Sequence, residues 1–93
     1  MVKHIVFYTF KEGVNKEEAI QIIHNALTPL VGQIPGLQHL EVRLAFNGMD
    51  YALYSEFESR QALENYVVHP LHVAAKEQFH HFIATRVAAD YEV

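Results

Sequence analysis

Seven histidines (His4, His24, His39, His69, His72, His80 and His81) in a chain without cysteine are the first chemical feature of this sequence. The missing cysteines exclude a disulfide scaffold, a thiolate metal site and a thiol nucleophile. His69 and His72 are spaced like one pair of metal ligands, and His4 or His80 would complete a three-histidine site. Against that reading, Pro70 lies between the pair and no acidic residue stands within four positions of it. Tyr66 and His72 sit six residues apart across the His69-Pro70 break, where helical periodicity alone does not say whether they meet. His4 alternates with Val6 and Tyr8, a setting in which a neutral ring hydrogen-bonds a ligand or simply a neighbouring side chain. Protonating all seven rings would move the formal charge from −4 to +3, so partners could change below about pH 6.

The elements that must hold these groups are legible in the patterning. Val2 to Phe10 is dense in β-branched and aromatic residues and reads as a strand. One face carries Val2, His4, Val6, Tyr8 and Phe10, the other Lys3, Ile5, Phe7 and Thr9; beyond the first residues both are apolar, as in a strand covered on both sides. Asn15 and Glu18 have capping-box spacing and open an amphipathic helix with Ala19, Ile23, Ala26 and Leu30 on its apolar stripe. Pro29 should kink it or start its last turns afresh, and Ile34-Pro35-Gly36 should turn the chain. Leu40, Val42, Leu44 and Phe46 alternate with polar partners in a second strand. Asn47-Gly48 predicts a two-residue hairpin turn into a third strand, roughly Met49 to Glu58. Ser59 caps a helix through Val67, and Pro70 opens another to about Phe82, on whose apolar face lie His72, Ala75, Phe79 and Phe82. His80 and His81 would then fall in its last turn, where positive charge is favoured. A last strand follows over Val87 to Val93, with Asp90 and Glu92 as exposed positions available for pairing across a dimer.

This order, β-α-β-β-α-β, is the ferredoxin-like split βαβ plan of an α+β domain: an antiparallel sheet with two helices on one face. Two helices leave the other face bare, and a symmetric homodimer is the common way to cover it. Glu41, Arg43 and Glu56 make part of that face polar, which suits a lumen between two sheets. With 93 residues, residues 1–93 form a single domain. Hydrophobic residues at 51% and charged ones at 19% exclude intrinsic disorder. A net charge of −4 with scattered basic residues excludes a phosphate-binding stripe, so nucleic acid is not an expected partner. No apolar run approaches the ~20 residues of a membrane span. Ile5 to Phe10 is too short for a signal-peptide core, and the expectation is a cytoplasmic protein.

Five segments in register resemble the stress-responsive dimeric α/β-barrel family: Val2-Lys3-His4-Ile5-Val6, Ile34-Pro35-Gly36, Phe57-Glu58-Ser59, Tyr66-Val67-Val68-His69-Pro70-Leu71-His72-Val73 and Asp90-Tyr91-Glu92-Val93. The resemblance spans the chain and implies a subunit whose sheet packs on that of its twin to make a dimeric α/β barrel. The family's best-known enzyme is a plant olivetolic acid cyclase, which closes a ring by aldol condensation with no metal or organic cofactor. Its catalytic tyrosine and histidine match Tyr66 and His72, and the family's N-terminal histidine matches His4. The chain departs from many members in carrying Tyr51 where they have histidine, and in the short connection at Asn47-Gly48.

If Tyr66 and His72 meet as the resemblance implies, a neutral imidazole of pKa about 6.5 takes a proton flanked by two carbonyls while the phenol holds the enolate oxygen. His4, Val6, Tyr8, Tyr51 and Phe79 would then contact the substrate, and the expected ligand is a small apolar or aromatic molecule. The enzyme reading is a cofactor-independent cyclase, lyase or isomerase of polyketide-like or β-dicarbonyl compounds; a cofactor-independent monooxygenase of the dimeric-barrel type follows by fold analogy alone. The plainer reading makes His72 a backbone-bonded ring, Tyr66 a core aromatic and the protein a non-catalytic stress or assembly dimer. A cavity of roughly 300 Å³ or more at Tyr66 favours the ligand, and closure by Phe79 and Phe82 the structural role.

Overall fold

The computed structural model describes all 93 residues. Strand β1 (Val2–Phe10) lies inside the sheet, paired antiparallel with β3 (Tyr51–Phe57) on one side and β4 (Ile83–Glu92) on the other. Strand β2 (Leu37–Leu44) pairs with β3, so the order is β2-β3-β1-β4 and every pair is antiparallel. Helices α1 (Lys16–Leu27), α2 (Arg60–Val68) and α3 (Pro70–Glu77) complete the ferredoxin-like plan expected from the sequence, the second helical connection being broken in two at His69.

Caps set the helix starts. The Asn15 side chain accepts the Glu18 N–H at 3.0 Å, and the Ser59 hydroxyl accepts the Ala62 N–H at 3.1 Å. Helix α1 stops at Leu27 and a short 3₁₀ turn, Thr28–Leu30, carries Pro29, which has no N–H to continue the ladder. Gly36 has φ +86°, and a Cβ there would stand 2.5 Å from that of Ala62, so this turn requires glycine.

Two sequence expectations need correction. The Asn47-Gly48 turn is not a two-residue hairpin: Ala45 N–H donates to Asp50 C=O at 2.9 Å, and Gly48 but not Asn47 has positive φ. Asp50 is held elsewhere, its carboxylate accepting the Phe10 N–H at 2.7 Å and the Lys16 ammonium at 2.7 Å, which leaves the loop wide. Those partners, Lys16 first, hold the Asp50 carboxyl below its usual pKa. Nor does the third helix reach Phe82. It ends at Glu77, Phe79 leaves helical backbone (φ −140°), and His80–Phe82 forms a 3₁₀ turn. Lys11 N–H takes the Phe82 carbonyl at 2.8 Å, which brings the chain beside β1 and starts β4 at Ile83 instead of Val87.

The core lies between helices and sheet, where Ala19, Ile23 and Leu27 join Val6, Phe10, Leu53 and Phe57 in one apolar cluster. Cross-strand register puts Ile5, Phe7, Ala52, Val87 and Ala89 on the opposite, helix-free face, with Phe7 42% exposed. Glu56 belongs to this face but pairs within the chain, with Lys3 at 3.3 Å and the Tyr54 hydroxyl at 2.5 Å.

Candidate functional site

The break between α2 and α3 is what brings Tyr66 and His72 together. His69 ends α2 in extended backbone (φ −64°, ψ 134°), and its Nδ1 accepts the Leu71 N–H at 3.1 Å to begin α3 at Pro70. The redirected first turn lays the His72 ring on the Tyr66 ring, centroids 4.0 Å apart and 28° from parallel. His72 Nδ1 lies 3.3 Å from the Val67 carbonyl, which can only accept; Nδ1 therefore carries the proton and Nε2 is the free base. Tyr66 is 2% exposed and leans on Phe57, whose ring also meets His4 edge-on at 6.2 Å.

Beside this pair is a cavity of about 400 Å³ lined by His4, Tyr8, Leu27, Leu53, Tyr66, Val67, His72, Lys76, Phe79 and Arg86. Phe79 forms part of the wall and Phe82 none of it. Five of the seven residues expected at a site line this space: His4, Tyr8, Tyr66, His72 and Phe79. Val6 and Tyr51 do not. Both are fully buried, Tyr51 behind Tyr8 in a stack with ring centroids 4.5 Å apart. Nor are His4, His69, His72 and His80 gathered: no three His, Asp or Glu side chains converge as a metal-ligand group.

Burial separates the two groups that could exchange a proton. It raises the Tyr66 phenol well above its usual pKa, with Tyr8 adding to the rise, so the hydroxyl stays protonated and has its proton to donate at neutral pH. It lowers the His72 imidazole below 6.5, helped by the charges of Lys76 and His4 and opposed by backbone hydrogen bonds, so that ring is neutral. A protonated donor stacked on a neutral base is an arrangement for removing a proton next to a developing oxyanion.

Three polar residues at the site escaped sequence reasoning. Asp90 pairs with His4 across β1 and β4, accepting the hydrogen bond from its Nδ1, and so is more than an exposed strand position. Lys76 stands one helical turn after His72, and that spacing was the available signal. Arg86 is the cross-strand partner of Tyr8 and was lost by starting the last strand at Val87.

Tyr51 contributes a buried hydroxyl with no hydrogen-bond partner, and burial raises its pKa far above normal. Tyr51→Phe should therefore leave stability unchanged or raise it by about 1 kcal/mol, since an unsatisfied buried group costs about 1–3 kcal/mol. Denaturant melts of the two proteins check this; a loss above ~1 kcal/mol would show that the hydroxyl has a partner.

A family model described as Stress responsive A/B Barrel Domain matches residues 2–93. The chain is 32% identical over 97 residues to the Streptomyces coelicolor protein SCO4036, with 99% of each covered. It is 30% identical over 78 residues to the stress-response A/B barrel domain-containing protein HS1 of Arabidopsis thaliana, covering 77% of this chain and 71% of HS1. Among solved structures, a dimeric protein of ferredoxin-like fold from Bacteroides fragilis superposes with a TM-score of 0.89 at 32% identity, over 99% of this chain and 95% of that one.

Proposed function

Because the chain belongs to the stress-responsive A/B barrel domain family, we propose that it acts as a homodimer whose cavity beside Tyr66 and His72 binds a small apolar or aromatic molecule and performs cofactor-independent acid–base chemistry on it. The substrate class is a polyketide-like or β-dicarbonyl compound. The observation that carries the reading is the stacked pair itself, a protonated phenol against a neutral imidazole at the wall of a cavity of about 400 Å³.

His72 Nε2 takes the proton between two carbonyls, and the C–H electron pair moves into an enolate whose oxygen accepts a hydrogen bond from the Tyr66 hydroxyl. In a cyclisation the enolate carbon then attacks a third, more distant carbonyl of the same molecule, forming the ring C–C bond, and the imidazolium gives its proton to the new alkoxide. In an isomerisation the proton returns to a different carbon. His4, held by Asp90, keeps its Nε2 for contact with substrate. Leu27, Leu53, Val67 and Phe79 supply an apolar wall. Turnover of β-dicarbonyl compounds by wild type and by the Tyr66 and His72 variants tests this reading.

The dimer reading rests on the helix-free face and on the dimeric relative of the same fold. Phe7, between Ala52 and Val87 on that face, should be central to the contact. Phe7→Asp is expected to halve the mass seen by light scattering, from about twice 10.7 kDa to the single-chain value. A wild type that scatters as one chain at micromolar concentration would end the dimer reading.

A further inference from the structure

The charge on the cavity wall differs from the charge of the protein. The chain carries eleven carboxylates against seven lysines and arginines. Yet no carboxylate lines this cavity, while two cations do, Lys76 from α3 and Arg86 from β4. The other cavities differ. The one of about 320 Å³ beside β4 holds Arg60 together with Glu64, Asp90 and Glu92, and Arg60 is paired with Glu92 at 3.1 Å. The one of about 290 Å³ beside α1 has a lone Arg43.

Lys3, Lys16 and Arg60 have carboxylate partners within the chain, whereas Lys76 and Arg86, like Lys11 and Arg43, have none; Lys76 and Arg86 are the two that share this cavity. Asp90 is the nearest candidate by topology, since it lies on the same strand face as Arg86, but its carboxylate is taken by His4. Both cations are placed by regular structure. Lys76 stands one turn beyond His72, and Arg86 sits across from Tyr8. Each acts on the groups around the cavity: the charge of Lys76 lowers the His72 imidazole, and that of Arg86 favours ionisation of the Tyr51 phenol behind the wall.

We infer that the ligand of this cavity is an organic acid, its carboxylate held between Lys76 and Arg86 and its apolar or aromatic body against Leu27, Leu53, Val67 and Phe79. The arginine fork suits a planar carboxylate, and the ammonium supplies a second charge from the opposite element. A carboxylate so held fixes the substrate at one end. The inference rests on the cavity being the ligand site, and it narrows that reading from an apolar molecule to an anionic one.

Matched pairs that differ only in charge test it: salicylate against salicylamide and cinnamate against cinnamamide, each titrated calorimetrically into wild type, Lys76→Gln, Arg86→Gln, the double variant and Lys76→Arg. The expected result is that each acid binds wild type at least about tenfold more tightly than its amide and loses that advantage in high salt. The double variant should bind acid and amide within about threefold of one another, with the amide unchanged from wild type and Lys76→Arg retaining the acid preference. Equal binding of acid and amide by wild type would overturn the inference and leave the cavity reading standing. Failure of every compound to bind would remove both.

Discussion

His72→Gln is expected to slow removal of the α-proton from a β-dicarbonyl probe such as ethyl acetoacetate by roughly 10²–10⁴-fold, while leaving the fold and the dimer intact. Glutamine can still accept or donate a hydrogen bond in the first turn of α3 but cannot take a proton at neutral pH, so the loss isolates base strength from packing. His72 is only half-buried and its backbone hydrogen bond to Val67 is long, so the melting temperature should move by a few degrees at most. The pH profile is a second readout. Because burial lowers the imidazole below 6.5, the wild-type rate should hold as pH falls to that value and decline only as the lower, folded pKa is crossed. The same shift has a stability sign: the unfolded ring binds its proton first on acidification, so the contribution present above about pH 6.5 is lost as pH drops through the folded value. The variant should lack both features. Exchange in deuterated buffer followed by NMR measures the rate, and an equal rate in variant and wild type would exclude His72 as the base.

Phe57→Ala carries the largest expected cost in stability, about 3–5 kcal/mol. The residue is fully buried, sits across from Val2, meets His4 edge-on and supports Tyr66 with ring centroids 5.0 Å apart. Removing the ring leaves a cavity between sheet and α2, and both site residues that lean on it lose their support. For a domain of this size the melting temperature should drop by about 12 °C or more. Ligand binding should weaken even at temperatures where the variant stays folded, because Tyr66 is then free to move from His72. A loss below ~1 kcal/mol would mean that the neighbours close over the gap and that Phe57 does not organise the site.

How much of this was legible before the structure depended on the range of each interaction. Strand β1 and the caps of α1 and α2 were read correctly, since local alternation and side-chain caps decide them. The resemblance around His69-Pro70-Leu71-His72 pointed to Tyr66 and His72, but the 4.0 Å stack comes from a change of helix direction that no periodicity contains. The wide loop before Asp50 was missed because its cause lies in Phe10 and Lys16, far away in sequence. The end of α3 was missed for a related reason: the Lys11 backbone draws Phe82 to the sheet. Both errors moved functional residues. Starting β4 at Val87 left Arg86 outside the strand and hid the register in which Tyr8 faces Arg86 and His4 faces Asp90. Tyr51 was placed at the site by its match to a family histidine, whereas its side chain lies behind Tyr8 in the core.

The most direct measurement is thermal melting of wild type, Tyr66→Phe and His72→Gln against a panel of aromatic and β-dicarbonyl compounds, acids included. Ligand binding to the folded state raises stability by RT ln(1 + [L]/Kd), about 2.7 kcal/mol at a hundredfold excess over Kd. A compound that raises the wild-type midpoint and loses most of that shift in both variants is the predicted result. A shift of equal size in all three proteins would place the ligand away from Tyr66 and His72 and contradict the site.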